Sequence, residues 1–307
     1  MALATIGGWN GGNFSALLRT PEDREAFAGI VINFANTYQL DGYTHVHPPR
    51  RPASVSDFTS LFSEEYPGKN PGNGNAFDPN DTAKLFLKTL RSRTDERFII
   101  FAATSTSPWV GADGDPRPTY VETNGQGFSK IVGPNAPPYS GCGGSGNFTS
   151  SAEGAVDAWN KAGFPLEQIG HGFRVPRSAA FLPNGQLAMK PTFAYDDASK
   201  IVGDSWDDPS SPGGTFSFLG LVDEVEWLKE DGTAASGIVY TSDACSQTSY
   251  IYDNAPQVMV SYDDAGSFEA KGRWIREKQL AGYEMFEAAG DYYDILLDDI
   301  NKGLSTS

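Results

Sequence analysis

The stretch "RFIIFAATS", residues 97–105, constrains this chain more than any other. It is apolar without polar alternation, and a strand of that kind needs cover on both faces, which is the setting of a parallel sheet flanked by helices. An amphipathic helix pattern, "NDTAKLFLKTLRSR", comes just before it, with Asn80 or Asp81 as its cap. The same alternation recurs on both sides. "MALATIGGW" is a short apolar strand ending in glycines, and "TPEDREAFAGIVINFANTYQL" is a helix. Thr20 fits its N-cap, Pro21 its first turn, and Phe27, Ile30, Val31 and Phe34 recur at helical spacing as its candidate core face. Further on, "SSAEGAVDAWNKAGF" is a helix stopped by Gly163 and Pro165, and "EQIGHGFRVP" a strand. Strand and helix in alternation give an α/β architecture.

Residues 182–256 change character: they are loop-rich and aromatic, with alternating stretches such as "GIVYTSD" and "TSYIYD", as in an inserted α+β module. "SFEAKGRWIREKQL" then reads as a helix, "AGYEMFEAAG" as a strand with its loop, and "DYYDILLDDINKGL" as a closing helix. There is no internal repeat and no linker that would split off a second domain, so 307 residues make one large domain with an insertion.

A net charge of −16 argues against nucleic acid, because phosphate contacts need clustered Lys and Arg, and Arg50-Arg51 is the only basic cluster. No apolar run reaches membrane-helix length. The opening residues lack the basic and apolar regions of a signal peptide and read as the interior of a domain. Cys142 and Cys245 have no metal-ligand spacing, and either one bridge or two free thiols fits them. Three sequons, at Asn13, Asn80 and Asn147, are compatible with secretion but occur at close to chance frequency. His45 and His47 share a strand face, but His171 is the only other histidine, so a metal site lacks a third ligand.

Barrel enzymes display their chemistry at the C-terminal ends of strands. The groups that fall there are Gly7-Gly8-Trp9, Glu64-Glu65-Tyr66-Pro67-Gly68, Ala102-Ala103-Thr104 and Glu284-Met285-Phe286-Glu287. A carboxylate before Tyr-Pro-Gly, near aromatics, is a candidate general acid once burial raises its pKa.

These residues resemble the family 18 glycoside hydrolases, specifically fungal chitinases. "ATIGGWNGGNFSALLRTPEDREAF" is similar to the family's Ser-x-Gly-Gly strand end and its helix, with Thr5 in the Ser place. "YQLDGY" resembles the start of its Asp-Gly-x-Asp-x-Asp-x-Glu strand, and "EYPGKN" the segment just beyond that strand. "VMVSYDDAGSFEAKGRWIREKQLAGYEMFEAAGDYYDILLDDI" resembles the family's C-terminal end almost without a break. The resemblance implies a (β/α)8 TIM-type barrel that starts near the third strand. It puts the barrel at 1–181 and 257–307 and an α+β insertion at 182–256. It also implies cleavage of β-1,4-linked N-acetylglucosamine polymers outside the cell, without a cofactor. Glu65 takes the proton-donor role and Asp41 that of a structural carboxylate, while Trp9, Tyr66 and Phe286 stack on sugar faces.

The chain also departs from the family pattern. The Asp-Gly pair and the catalytic Glu belong on one short strand, yet Asp41 and Glu65 stand 24 positions apart. Between them lies a run with Pro48, Pro49 and Pro52, which remove ladder donors and cannot sit inside a catalytic strand. Either a retained intron or a genuine insertion accounts for the run, and transcript sequencing separates the two. In the family mechanism the substrate's own acetamido oxygen attacks while the Glu protonates the leaving oxygen, and an Asp two residues earlier orients the acetamide. That earlier place holds Ser63. Glu122 and Thr123 stand where the family has Tyr and Asp, and Phe286 replaces the Trp at the floor of the sugar subsite. Three functions stay open: a chitinase acting through a disrupted catalytic strand, an inactive chitin-oligosaccharide-binding protein, or a partial or mispredicted chitinase gene product.

Overall fold

The structure is a computed structural model that describes residues 3–7, 18–40, 42–46, 82–95, 98–102, 137–139, 151–161, 163–174, 177–181, 202–207, 214–286 and 288–305. They fall into two compact units, Met1–Phe128 and Ser129–Ser307.

In the first unit the apolar run at 99–102 forms a parallel strand, as its composition predicts. β1 (Leu3–Gly7), β2 (Gly42–Val46) and β3 (Ile99–Ala102) form a parallel sheet in the order β1-β2-β3, with Leu3 opposite Gly42 and Gly42 opposite Ile99. Parallel neighbours need a crossover between them, and α1 (Pro21–Thr37) and α2 (Thr82–Ser92) lie in those connections. The start of α1 is fixed by a reciprocal capping box. The Asp23 N–H donates to the Thr20 hydroxyl at 3.1 Å, and the Thr20 N–H donates to the Asp23 carboxylate at 3.2 Å. Leu18, Ala28 and Val31 are buried against Phe86 and Leu90 of α2. The rings of Phe27 and Phe86 are 5.2 Å apart. Ile30 and Phe34, expected in the core, are instead 63% and 47% exposed, as is Tyr38 at 63%. Residues at i, i+4 and i+8 share one helix face. In α1 that face is not the one carrying Ala28, Val31 and Ala35.

The second unit opens with α3 (Ala152–Lys161), whose first turn is closed by the Gly154 N–H donating to the Ser151 hydroxyl at 3.1 Å. Gly163, at φ +95°, ends it in a conformation side chains resist. β4 (Gly170–Arg174) comes next and pairs in parallel with β10 (Gly282–Phe286), Phe286 lying opposite Arg174. Between these two strands the chain builds a five-stranded antiparallel sheet. Its strands are β5 (Arg177–Phe181), β6 (Thr215–Phe216), β7 (Ile238–Asp243), β8 (Thr248–Asp253) and β9 (Val258–Tyr262), in the order β6-β5-β9-β8-β7. β5 lies before and β9 after the 182–256 stretch, so the sheet draws on both of its flanks. β8 is buried along nearly its whole length, whereas β7, at the sheet's edge, is half open. The β7–β8 turn carries Cys245, which is disulfide-bonded; Cys142 lies outside the described residues.

α4 (Phe218–Asp223), α5 (Ala265–Glu277) and α6 (Ile295–Ser305) complete this unit. Phe218, Leu221, Val260, Phe268, Trp274 and Ile300 are among the side chains of its core. α5 and α6 touch backbone to backbone at two glycines. A Cβ on Gly272 would stand 2.2 Å from the Ile300 carbonyl oxygen, and one on Gly303 would stand 2.1 Å from that of Glu269. The Asp263 carboxylate, just ahead of α5, and the Lys271 ammonium, within it, form an ion pair at 2.5 Å, with side chains 1% and 0% exposed. The Ser267 hydroxyl donates to the same oxygen at 2.9 Å. The closing helix starts at Ile295 and not at Asp291 as the pattern suggests. The Asp291 carboxylate instead takes the N–H groups of Leu296 and Leu297, at 3.1 and 3.0 Å, and caps the helix from outside.

Candidate functional site

The strand just after Asp41 is β2, and its frame decides what the catalytic strand can offer. Set ungapped on the Asp-Gly-x-Asp-x-Asp-x-Glu pattern from Asp41-Gly42, Thr44 and Val46 occupy the two middle Asp places and Pro48 the Glu place. β2 runs from Gly42 to Val46 in unbroken parallel register with both neighbours, Thr44 lying opposite Thr5 and Phe101. The strand therefore forms without a single carboxylate in its sequence, and Glu65 comes 19 positions after Val46. Trp9, Asp41, Glu65 and Tyr66 lie outside the described residues, as do Ser63, Glu122 and Thr123. Hydrogen bonding between backbones suffices to build β2, so the strand forms although its five residues carry no carboxylate.

In the second unit, β4 and β10 end together at Arg174 and Phe286. Phe286 thus stands at the C-terminal end of a parallel strand, where the resemblance puts it. On β10, Tyr283 and Met285 pack against the core, and the Tyr283 hydroxyl donates to Asn301 of α6 at 3.0 Å. Side chains alternate along a strand, so Glu284 faces the other way. Its side chain is open to solvent over more than a third of its surface, yet desolvation holds its carboxyl above the ordinary value. Glu284 belongs to a strand-end group already visible in sequence, but nothing there sets it apart from Glu287 until β10 assigns the faces.

His45 lies on β2, opposite Ile6 and Ala102, and His171 on β4, opposite Tyr283. β2 ends at Val46, and His47 lies outside the described residues. Among the described residues no cluster of three or more His, Cys, Asp or Glu is arranged to hold a metal, and no helix is long and apolar enough to cross a membrane.

The chain belongs to glycosyl hydrolases family 18, whose family model matches residues 2–291. A chitinase-like effector of Moniliophthora roreri is 34% identical over 339 residues, spanning 98% of this chain and 77% of the relative. A chitinase-like effector of Moniliophthora perniciosa is likewise 34% identical, spanning 99% and 72%. Among solved structures, a chitinase from Rhizomucor miehei superposes with a TM-score of 0.72 at 24% identity, over 98% of this chain and 84% of that one. Human YKL-39, described as a pseudo-chitinase with retained chitooligosaccharide binding properties, superposes with a TM-score of 0.63 at 17% identity, over 99% and 80%. Family and structural likeness together give the fold, a (β/α)8 TIM barrel, and make the chain a chitinase-like member of family 18.

Proposed function

We propose that this chain binds β-1,4-linked N-acetylglucosamine oligosaccharides without hydrolysing them at an appreciable rate. One observation carries the reading: β2 forms in register with Thr44 and Val46 where the family's strand has carboxylates. Substrate-assisted hydrolysis needs a proton donor and a neighbouring anion held together at the strand end. Each lost electrostatic partner costs on the order of 10²–10³ in rate. Binding does not share that requirement, since aromatic stacking and hydrogen bonds to hydroxyls hold the ground state. The pseudo-chitinase description of YKL-39 shows that the barrel supports such a division in another protein.

Several finer points belong to the same reading. The five-stranded antiparallel sheet and α4 are the α+β insertion of the barrel, set between barrel strands β4 and β10. The protein acts outside the cell, which suits the disulfide at Cys245. Its partner is chitin or its oligomers, with neither nucleic acid nor membrane involved; a net charge of −16 repels phosphate backbones and anionic lipid alike. Phe286 is the sugar-stacking residue at the strand ends, and in sequence Ser63 holds the place of the Asp that the family has two residues before Glu65.

Two measurements on one preparation test this. Calorimetry with chitotetraose should show binding, and wild type and Glu65→Gln should release reducing ends at the same background rate. A wild-type turnover that Glu65→Gln abolishes would show a working acid and end the non-catalytic reading. No heat with any oligomer at millimolar ligand would end the binding reading.

A further inference from the structure

Trp206 is 58% exposed, and the turn that carries it is held more firmly than an exposed turn requires. Asp204, only 5% exposed, anchors it from within. One oxygen of the Asp204 carboxylate accepts the Ser217 N–H at 2.5 Å and the Ser217 hydroxyl at 2.6 Å, and the other accepts the Trp206 N–H at 3.0 Å. Ser217 in turn caps α4, its hydroxyl oxygen accepting the Gly220 N–H at 2.9 Å. Asp207 closes the loop at its base, accepting the N–H groups of Gly203 and Gly214 at 2.9 and 3.0 Å. The Glu224 carboxylate takes both the N–H and the hydroxyl of Ser205, at 2.9 and 2.6 Å. The fit is close enough that a Cβ on Gly203 would meet the Thr215 carbonyl oxygen at 1.8 Å, and one on Gly220 would meet the Asp204 carboxylate at 2.2 Å. Three carboxylates and two glycines thus fix the backbone on both sides of an aromatic side chain that stands in water.

Register places this turn. Thr215, whose carbonyl accepts the Asp204 N–H at 3.0 Å, pairs with Ser178, and Phe216 pairs with Arg177 at the start of β5. Only two residues separate Arg177 from Arg174, the last residue of β4, which lies opposite Phe286 on β10. The turn therefore sits two strand spacings, about 10 Å, to the side of the start of β5, the strand that follows β4 past its C-terminal end. That is the C-terminal side of the parallel strands, the side on which barrel enzymes place their sites.

An exposed aromatic held on a rigid turn loses little freedom on binding, because backbone and turn geometry are set beforehand. The apolar C–H face of a pyranose ring fits an indole face, and the indole N–H and nearby hydroxyl and carboxylate groups match sugar hydroxyls and acetamide N–H groups. We propose that Trp206 is a stacking platform at the outer end of the oligosaccharide path, engaging a sugar ring beyond those at the strand ends. The inference rests on the binding reading above. It adds to that reading a chain-length preference: oligomers long enough to reach Trp206 bind more tightly than short ones.

Calorimetry of wild type, Trp206→Ala and Trp206→Phe with chitobiose and chitohexaose tests the proposal. Trp206→Ala should weaken chitohexaose about fivefold to tenfold, with chitobiose unchanged and Trp206→Phe in between. The melting temperature should stay within about a degree of wild type, since the ring is largely in water. Equal chitohexaose affinity in wild type and Trp206→Ala would overturn the role of Trp206 and leave the binding reading intact. Equal weakening of both oligomers, or a lower melting temperature in both variants, would also overturn it by showing a structural ring. No heat from wild type with either oligomer would overturn the binding reading and this proposal together, and would leave the ring as a candidate contact for a protein partner.

Discussion

The two units solve the same packing problem with different success. In the second, the apolar residues of α5 meet a partner: Phe268, Trp274 and Ile275 are buried, and α6 approaches to backbone contact at Gly272 and Gly303. In the first, α1 is apolar on more than one side. Ala28, Val31 and Ala35 are buried, while Ile30, Phe34 and Tyr38 stand in water with the Phe34 and Tyr38 rings 4.6 Å apart. The sequence from Ala26 to Leu40 holds no charged residue, although the whole chain is 20% charged. A helix reads its neighbours through its apolar stripe, and this one shows a wider stripe than the described residues cover. A second contrast separates the stretches that keep the family pattern from the one that departs from it. The C-terminal stretch, which keeps that pattern almost continuously, closes its core. The stretch after Asp41, which departs from it, keeps a strand and a helix, with no carboxylate in the strand.

The largest expected effect falls on the buried ion pair. Lys271→Met leaves Asp263 buried without its cation and should cost about 3–5 kcal/mol in a urea melt. A loss below about 1 kcal/mol would mean that water reaches the pair, and the contrast between units would weaken. Cys245→Ser, or reduction of wild type, should cost about 2–4 kcal/mol by the same measurement. Gly303→Ala should cost about 1–3 kcal/mol by pushing α6 from α5, because the added Cβ meets backbone and not a side chain that can turn away. Phe34→Ser sharpens the comparison from the other side: on a face open to water it should move stability by less than about 0.5 kcal/mol. A cost as large as a core substitution would show that this face is covered in solution.

The smallest effect is the pH response of Glu284. Its carboxyl is raised by desolvation, so folding penalises the ionised form. That penalty is fully present above the folded pKa, and it fades as pH falls through that value to the unfolded one. Glu284→Gln removes it. The variant should melt about 1 °C above wild type at pH 7, with the gap closing below about pH 4. The exposed side chain keeps the effect this small, because solvent screens it. A gap that widens in acid would reverse the assigned direction.

Much of the fold was legible because periodicity and caps are local. Thr20 with Asp23, the glycine stop at Gly163 and the alternation in "GIVYTSD" and "TSYIYD" each announce an element by short-range chemistry. Of the site residues named from sequence, Phe286 falls on a described element, the end of β10, while Trp9, Asp41, Glu65 and Tyr66 lie outside the described residues. The turn of Trp206 gave no such signal, since its anchors Ser217 and Glu224 lie 13 and 19 residues from Asp204 and Ser205. Which face of α1 would be buried was equally unreadable, because apolar spacing marks more than one face there.

The sequence by itself determined the parallel-sheet character, the helices with their caps, the loss of carboxylates from the strand after Asp41 and the acidic surface, because each depends on residue type and near neighbours. Tertiary structure decided what depends on distance: the pairing of β4 with β10, the burial of Lys271 against Asp263, the glycine contact of α5 with α6, and the pinned turn that holds an indole in water. Those rest on groups brought within a few ångströms from far along the chain, where steric fit and desolvation act and local propensity does not.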